Sequence, residues 1–219
     1  MARWNIGIPN SSELRDSKRE AVLREAASSF NSRGYHGTSL EEIAQRLNVT
    51  KPALYYYFPN KQAMLKACFD QAMDVAFDNL ARAARDGRSG LDKLRIALSD
   101  LLNYFISDHC VAITVLEEGS LSEADLAEVK DQRRRFEQGL RAFVAEGIDD
   151  GSIVPCDPKL AVLALLGSIN WVTRWYRPDG DWSREQLGAH LGELLERMLS
   201  AAPAATLRVE PAVDRMPQP

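Results

Sequence analysis

The 219-residue sequence predicts an all-α protein, with a three-helix N-terminal unit that carries a helix-turn-helix and a larger helical C-terminal unit. Three observations predict it. Residues 38–61, TSLEEIAQRLNVTKPALYYYFPNK, read as helix, tight turn, short helix and stop. Apolar residues recur at spacings of three and four through the segments that follow. Capping and breaking residues stand where those segments begin and end.

The first helix is expected from about Ser12 to Arg33, with Val22, Leu23, Ala26, Ala27 and Phe30 on one face and Gly34 as its stop. Leu40, Ile43, Ala44 and Leu47 then fall on one face of a second helix. Thr38 followed by Glu41 reads as its capping box. Asn48 suits a left-handed turn position. Thr50 can cap a third helix with Pro52 in its first turn. Leu54, Tyr55 and Phe58 give that helix an inward face, while Lys51, Pro52, Ala53, Tyr56 and Tyr57 point elsewhere. Three consecutive tyrosines span nearly the whole circumference, so at least one ring must face out.

Asn60 can cap a long helix from Lys61 to about Arg85, with Leu65, Cys68, Ala72, Val75 and Leu80 as its buried stripe. Residues 87–90, GRSG, break it. Leu91, Leu94, Leu98, Leu101 and Phe105 mark the next helix, and the stretch from His109 reads as a short buried one. Leu126, Val129, Arg133, Phe136, Leu140 and Phe143 form a further stripe in which Arg133 is the anomaly, a snorkelling side chain or an anion partner. Gly147, Gly151 and Pro155 mark a loop. Asp157-Pro158 starts a helix running to about Arg177. Ser183 with Gln186 is a capping box for a last helix that ends near Ser200, with Leu187, Leu191, Leu194, Leu195 and Met198 inward. These signals divide the chain into an N-terminal unit at 1–60, a C-terminal unit at 61–200 and a Pro- and Ala-rich tail at 201–219.

Net charge is −4, unevenly placed: residues 1–70 carry +3 and the remainder −7. A basic head on an acidic body fits nucleic-acid binding confined to one end. Tyrosine hydroxyls and lysines suit phosphate contacts, and Pro52 and Ala53 can approach a thymine methyl. Arg3 and Arg15 extend the basic character toward the N-terminus. No apolar run is long enough to span a membrane, and the N-terminus lacks an apolar signal region. Three cysteines, far apart and odd in number, fit reduced thiols and a cytoplasmic location. The three histidines have no ligand spacing, and no nucleophile, metal or phosphate-loop motif occurs. The sequence therefore predicts no catalytic residue, no metal and no cofactor.

The stretch T-S-L-E-E-I-A-x-x-L-x-V-T-K-x-x-L-Y-Y-Y-F-x-N-K resembles the signature of the TetR family of bacterial transcriptional regulators, and Val22 to Tyr35 extend the resemblance upstream. It covers about the first third of the chain. One departure is Tyr57, where many members have histidine. The resemblance implies an all-α homodimer, an N-terminal DNA-binding domain and a C-terminal ligand-binding and dimerisation domain. It implies DNA contacts at Thr38, Pro52, Ala53, Tyr55, Tyr56, Tyr57 and Lys61, a set completed here by Ser39, Thr50 and Lys51 from the same stretch.

In the C-terminal unit, Ser168 to Gly180, SINWVTRWYRPDG, is similar to stretches of family members that regulate fatty-acid, sterol and aromatic-acid catabolism. That resemblance implies a small-molecule effector, with an acyl-CoA thioester as one class. Aromatics can bury an acyl or adenine group, and arginines can pair with phosphates. The candidate effector residues are Phe105, Arg133, Phe136, Leu140, Trp171, Arg174, Trp175 and Arg177. They would share one pocket if the Arg174–Arg177 and Arg133–Arg135 clusters both lie at its mouth; core or dimer-interface anchors are the other reading of the tryptophans. The candidate dimer contacts are Ala164, Gly167, Ser168, Gly188, Leu191, Gly192 and Leu195, where small residues let two helices meet the same pair of a second subunit. The expected function is a repressor released from a palindromic double-stranded operator by its effector. An uncharged aromatic or hydrophobic effector is the alternative, and a helical ligand-binding or scaffold protein without DNA binding is the rival.

Overall fold

The computed structural model describes residues 11–107 and 119–201, with side chains from residue 14 onward. The N-terminal arm with Arg3, the stretch from His109 to Glu118 and the tail beyond 201 lie outside the described residues. Among the described residues the chain is all-helical: α1 Ser11–Arg33, α2 Leu40–Arg46, α3 Lys51–Tyr55, α4 Lys61–Asp86, α5 Gly90–Phe105, α6 Glu123–Asp149, α7 Pro158–Trp175 and α8 Arg184–Leu199.

Helix ends follow their capping chemistry. Gly34 stops α1 at φ 77°, a backbone region that costs a glycine nothing. Asn60 Oδ1 accepts from the Ala63 amide at 2.7 Å to open α4. Asp157 accepts from the Lys159 and Leu160 amides at 2.8 and 3.0 Å to open α7. Ser183 and Gln186 form a reciprocal capping box at α8. One cap sits a residue away from its expected place. Ser39, paired with Glu42, caps α2, whereas Thr38 turns inward and offers its hydroxyl to the Ser29 and Gly34 carbonyls at 3.0 and 2.9 Å. Adjacent Thr-Ser and Glu-Glu pairs allow either register, and burying Thr38 against the end of α1 selects the second.

Two cores result. The head core gathers Val22, Leu23, Ala26, Ala27 and Phe30 of α1, Ile43 and Ala44 of α2, and Leu54 and Phe58 of the α3 region. Met64, Leu65, Cys68 and Phe69 from the first half of α4 join it, as do Leu121 and Val129 around the start of α6. The body core takes Met73, Ala76 and Ala83 from the rest of α4, with residues of α5 to α8. Leu65 and Cys68 of the expected α4 stripe are buried, whereas Ala72, Val75 and Leu80 are only half-buried and Met73, Ala76 and Ala83 take the core positions. The stripe shifts along the helix because one helix must face two cores.

Between the cores, Lys66 reaches Asp70 at 2.6 Å and Glu128 at 3.1 Å, and Gln132 donates to Asp70 at 3.3 Å. Partial burial opposes the charge of Lys66, but the hydrogen bonds to Asp70 and Glu128 outweigh it and hold the ammonium above its usual pKa.

Gly147 does not mark a loop, as its residue type suggests, but lies within α6 where α5 begins against it. A Cβ at Gly90 would fall 2.0 Å from the Gly147 amide and 2.4 Å from the Phe143 carbonyl, so the two backbones touch. The Gly90 amide donates to Asp150 at 2.7 Å and the Leu91 amide to the Ser152 hydroxyl at 3.1 Å. The Asp150 carboxyl is held below its ordinary pKa by the Ser152 hydroxyl, then by the Gly90 and Ser152 amides. An anion at the start of α5 also suits the helix dipole.

On α8 the glycines also face differently from expectation. A Cβ on Gly188 would sit 3.3 Å from Asn103 Oδ1, and one on Gly192 would sit 3.9 Å from Ser99 Oγ, both on α5 of the same chain. Gly188 and Gly192 thus face α5 within the protomer, and Leu195 is buried in the body core. Leu194 and Met198, expected inward, are exposed.

Overpacking a close backbone contact typically costs about 1–3 kcal/mol. Gly90→Ala is therefore expected to lower the urea midpoint by that much stability, with far-ultraviolet circular dichroism unchanged before the transition.

Candidate nucleic-acid interface and effector residues

α2 is pinned by its capping box, in which the Ser39 amide donates to Glu42 at 3.2 Å and the Glu42 amide donates to Ser39 Oγ at 3.2 Å. The turn to α3 passes through Asn48 at φ 54°, and the Val49 amide closes it on the Ala44 carbonyl at 2.9 Å. Five residues are too few to hold a helix by backbone bonds alone, so α3 depends on tertiary packing. Leu54 and Phe58 supply it as buried plugs.

Those plugs decide what α3 presents. Thr50 occupies the N-cap, yet its side chain makes no capping bond and the residue is exposed. Pro52 is exposed beside a half-buried Ala53. Tyr55 is 45% exposed and Tyr56 65% exposed, so Tyr55 belongs to the outer face and not to the inward one expected for it. Tyr57 is half-buried against the head core, its ring edge-on to Tyr56 at 5.0 Å between centroids. Lys51 pairs with Glu41 of α2 and its Nζ lies 5.9 Å from the Tyr55 ring centroid. The Glu41 carboxyl is lowered by its hydrogen bond from Lys51, and the Lys51 ammonium is raised by the same bond. Lys61, at the start of α4, rests over the Tyr35 ring at 4.2 Å.

Nine of the ten candidate DNA residues are thus at least partly exposed around α2 and α3. Thr38 is not among them, because it is 3% exposed and its hydroxyl is used inside the head. The arrangement can present hydroxyls, rings, a proline and lysines to a groove and its phosphates.

The effector candidates are scattered. Phe136 is buried edge-on to Phe77 at 6.4 Å, and Leu140 is 1% exposed, leaving it no surface with which to line an open pocket. Phe105 is half-buried beside Tyr104. The Arg133 guanidinium lies over the ring of Phe69, a head-core residue, at 5.0 Å while the residue stays open to solvent. Trp171, Arg174, Trp175 and Arg177 are exposed near the end of α7, with Trp175 edge-on to Trp182 at 6.0 Å. Among the described residues these eight side chains do not line one common cavity. Leu91, Leu94, Leu98, Leu102, Gly192 and Leu195 instead border a cavity of about 20 Å³ between α5 and α8, room for about one water. No group of three or more potential metal ligands occurs among the described residues.

Ala164, Gly167 and Ser168 were expected from the sequence as a contact face, but Leu160 and Leu163, which extend it, were missed. Leu160, Leu163, Ala164, Gly167, Ser168 and Trp171 form an exposed stripe of apolar and small residues along α7. Their spacing was a readable signal, since α7 is apolar on more than one face. The contribution of Leu121 and Val129 to the head core had no local sequence signal.

Residues 22–68 match the family of bacterial regulatory proteins of the tetR type, and residues 87–199 match the tetracyclin repressor-like C-terminal domain. The chain belongs to the TetR family. The HTH-type transcriptional repressor KstR2 of Mycolicibacterium smegmatis is 27% identical over 179 residues, 78% of this chain and 85% of that one. The fatty acid metabolism regulator protein of Bacillus subtilis is 26% identical over 165 residues, 74% and 85% of the two chains. The crystal structure of AibR in complex with isovaleryl coenzyme A and operator DNA superposes with a TM-score of 0.67 at 27% identity, covering 81% of this chain and 97% of that one. These TetR relatives are transcriptional regulators, not enzymes, and α2–turn–α3 is the TetR helix-turn-helix.

Loss of one specific contact typically costs about 1–3 kcal/mol. Tyr56→Ala is expected to weaken binding to an operator selected from random duplexes by about 5- to 150-fold. Fluorescence anisotropy reads the affinity, and an unchanged circular-dichroism spectrum separates this from misfolding.

Proposed function

We propose that the protein is a homodimeric repressor that a small-molecule effector, a CoA thioester, releases from a palindromic operator. The observation that carries the effector class is the segment of Trp171, Arg174, Trp175 and Arg177, whose aromatic and guanidinium groups are all exposed together near the end of α7. Its chemistry suits a ligand with an adenine, an acyl chain and phosphates. The likeness to AibR, solved with isovaleryl coenzyme A, and to a fatty acid metabolism regulator supports the same class.

An acyl chain needs more room than the cavity between α5 and α8 among the described residues, so an effector bound there would select a conformer in which that contact has opened. Because α4 runs through both cores, that opening would alter the pose of the head. Release follows only as far as the effector prefers the opened state. The body carries −7 overall, which makes local arginines necessary for a polyanionic ligand. A regulator with this task works in the cytoplasm, and no described helix is long and apolar enough to cross a membrane.

The dimer rests on the outer stripe of α7, continued by the exposed Leu194 and Met198 of α8. Of the residues first expected there, Ala164, Gly167 and Ser168 stand on this stripe. A Cβ on Gly167 would meet nothing within 4 Å in the chain itself, so a larger residue is compatible with the protomer fold. Gly167→Glu would place a charge in the proposed contact at a cost of several kcal/mol. The expected result is a folded monomer in analytical ultracentrifugation with operator affinity lost, since a single half-site binds too weakly. A dimer that persists would move the interface off α7.

For the effector, an acyl-CoA at micromolar concentration is expected to release the wild-type protein from its operator, with the corresponding free acid much less effective. Arg174→Ala should raise the half-releasing concentration about five-fold, a loss of about 1 kcal/mol, with DNA affinity unchanged. Release by an uncharged aromatic compound, with no response to any CoA ester, would replace the thioester by the alternative effector class.

A further inference from the structure

α1 does more than fill the head core. Toward its C-terminal end it grips α2 through Glu25 with Arg46 at 3.1 Å and Arg33 with Glu42 at 3.4 Å. Toward its N-terminal end it meets α3, and there the contacts are cation on ring. The Arg15 guanidinium lies 5.4 Å from the Tyr56 ring centroid, and the Arg19 guanidinium lies 5.1 Å from that of Phe58. Residues four apart on a helix share a face, so one edge of α1 follows two aromatics of the α3 segment. Phe58 is a buried anchor, whereas Tyr56 is the most exposed of the three tyrosines on α3.

The Tyr56 ring therefore has Arg15 within cation–π range and Tyr57 edge-on at 5.0 Å. Tyr57 is itself packed against the head core, which gives the ring a fixed neighbour. Without these contacts an exposed tyrosine at the C-cap of a five-residue helix would sample several rotamers and lose that freedom when DNA arrives. We infer that Arg15 is a positioning residue for DNA recognition, holding the Tyr56 ring in its binding rotamer before the duplex is met. A cation–π contact needs a planar or compact cation and the ring face, and it does not need the tyrosine hydroxyl. The inference rests on α3 being the recognition helix, so its test must separate the two.

The probe is the operator that the wild-type protein selects from a random duplex library, titrated by fluorescence anisotropy at several salt concentrations. Arg15→Gln removes the cation with little change of shape. It is expected to weaken binding about two- to five-fold in the wild-type background and equally in Tyr56→Phe, which keeps the ring, but to have no effect in Tyr56→Ala. Arg15→Lys should recover part of the loss. In DNA-free protein labelled with 3-fluorotyrosine, the fluorine resonance that disappears in Tyr56→Phe should shift on Arg15→Gln, a response that a pure phosphate contact would not produce. An Arg15→Gln loss of equal size in all three backgrounds would overturn the inference and make Arg15 an independent backbone contact. No loss in any background would also overturn it. If Tyr56→Ala itself binds the operator like wild type, the assignment of α3 as the reading helix fails instead.

Discussion

The structure depends on one helix belonging to two cores. α4 is 26 residues long, about 39 Å, and has no proline or internal break. Met64, Leu65, Cys68 and Phe69 close the head, and Met73, Ala76 and Ala83 help close the body. Each set is buried to near zero exposure, so neither half can turn without opening the core it completes. The start of α6 supplies a second tie, because Leu121 and Val129 also sit in the head core. Head and body are therefore fastened at two points, with Lys66, Asp70, Glu128 and Gln132 as a polar seam between them.

Such a joint transmits displacement in steps. Close-packed interiors resist continuous deformation, and a helix shared between cores moves by exchanging one packed arrangement for another. Where α5 starts, Gly90 lies on the backbone of α6 at Gly147, which leaves no side chain there to absorb a shift. The polar ties of Asp150 to Gly90 and Ser152 fasten the same corner. The far side of α5 is looser at Gly192 of α8, which borders a small cavity against it. The body is thus stiff along α5–α6 and more yielding along α5–α8.

Which parts of this were legible follows from how local each signal is. Asn60, Asp157-Pro158, Ser183 with Gln186, Gly34 and Asn48 act through their own backbone or that of residues within three positions, and each sits where the sequence placed it. Thr38 and Ser39 are ambiguous by construction, since both have a glutamate three residues on, and only the tertiary packing of Thr38 decides between them. Tyr55 and Tyr57 exchange expected roles because Leu54 and Phe58, four apart, set the rotation of α3. A glycine pattern says that something comes close without saying what, and within the protomer Gly188 and Gly192 face α5. The effector residues were the least legible. Helical spacing identified Phe136 and Leu140 as inward, but an inward side chain fills a core as readily as it lines a pocket.

The charge pattern of the head bears on how it would read DNA. A net of +3 over residues 1–70 is modest, and part of it is already engaged. Lys51 is paired with Glu41, Arg46 with Glu25, and Arg33 with Glu42. Exposed pairs of this kind contribute at most about 1 kcal/mol, so a phosphate can take Lys51 from Glu41 at little cost. The glutamate left behind stays at the rim of the groove and repels a backbone that approaches out of register. With few cations outside ion pairs, nonspecific attraction would be weak and the salt dependence shallow, since each phosphate neutralised contributes to the slope. Discrimination would then fall to shape and to the rings and small side chains of α3, which could gain contacts only with the helix seated in the groove. An aromatic recognition surface with its neighbouring charges held in pairs therefore trades general affinity for dependence on fit.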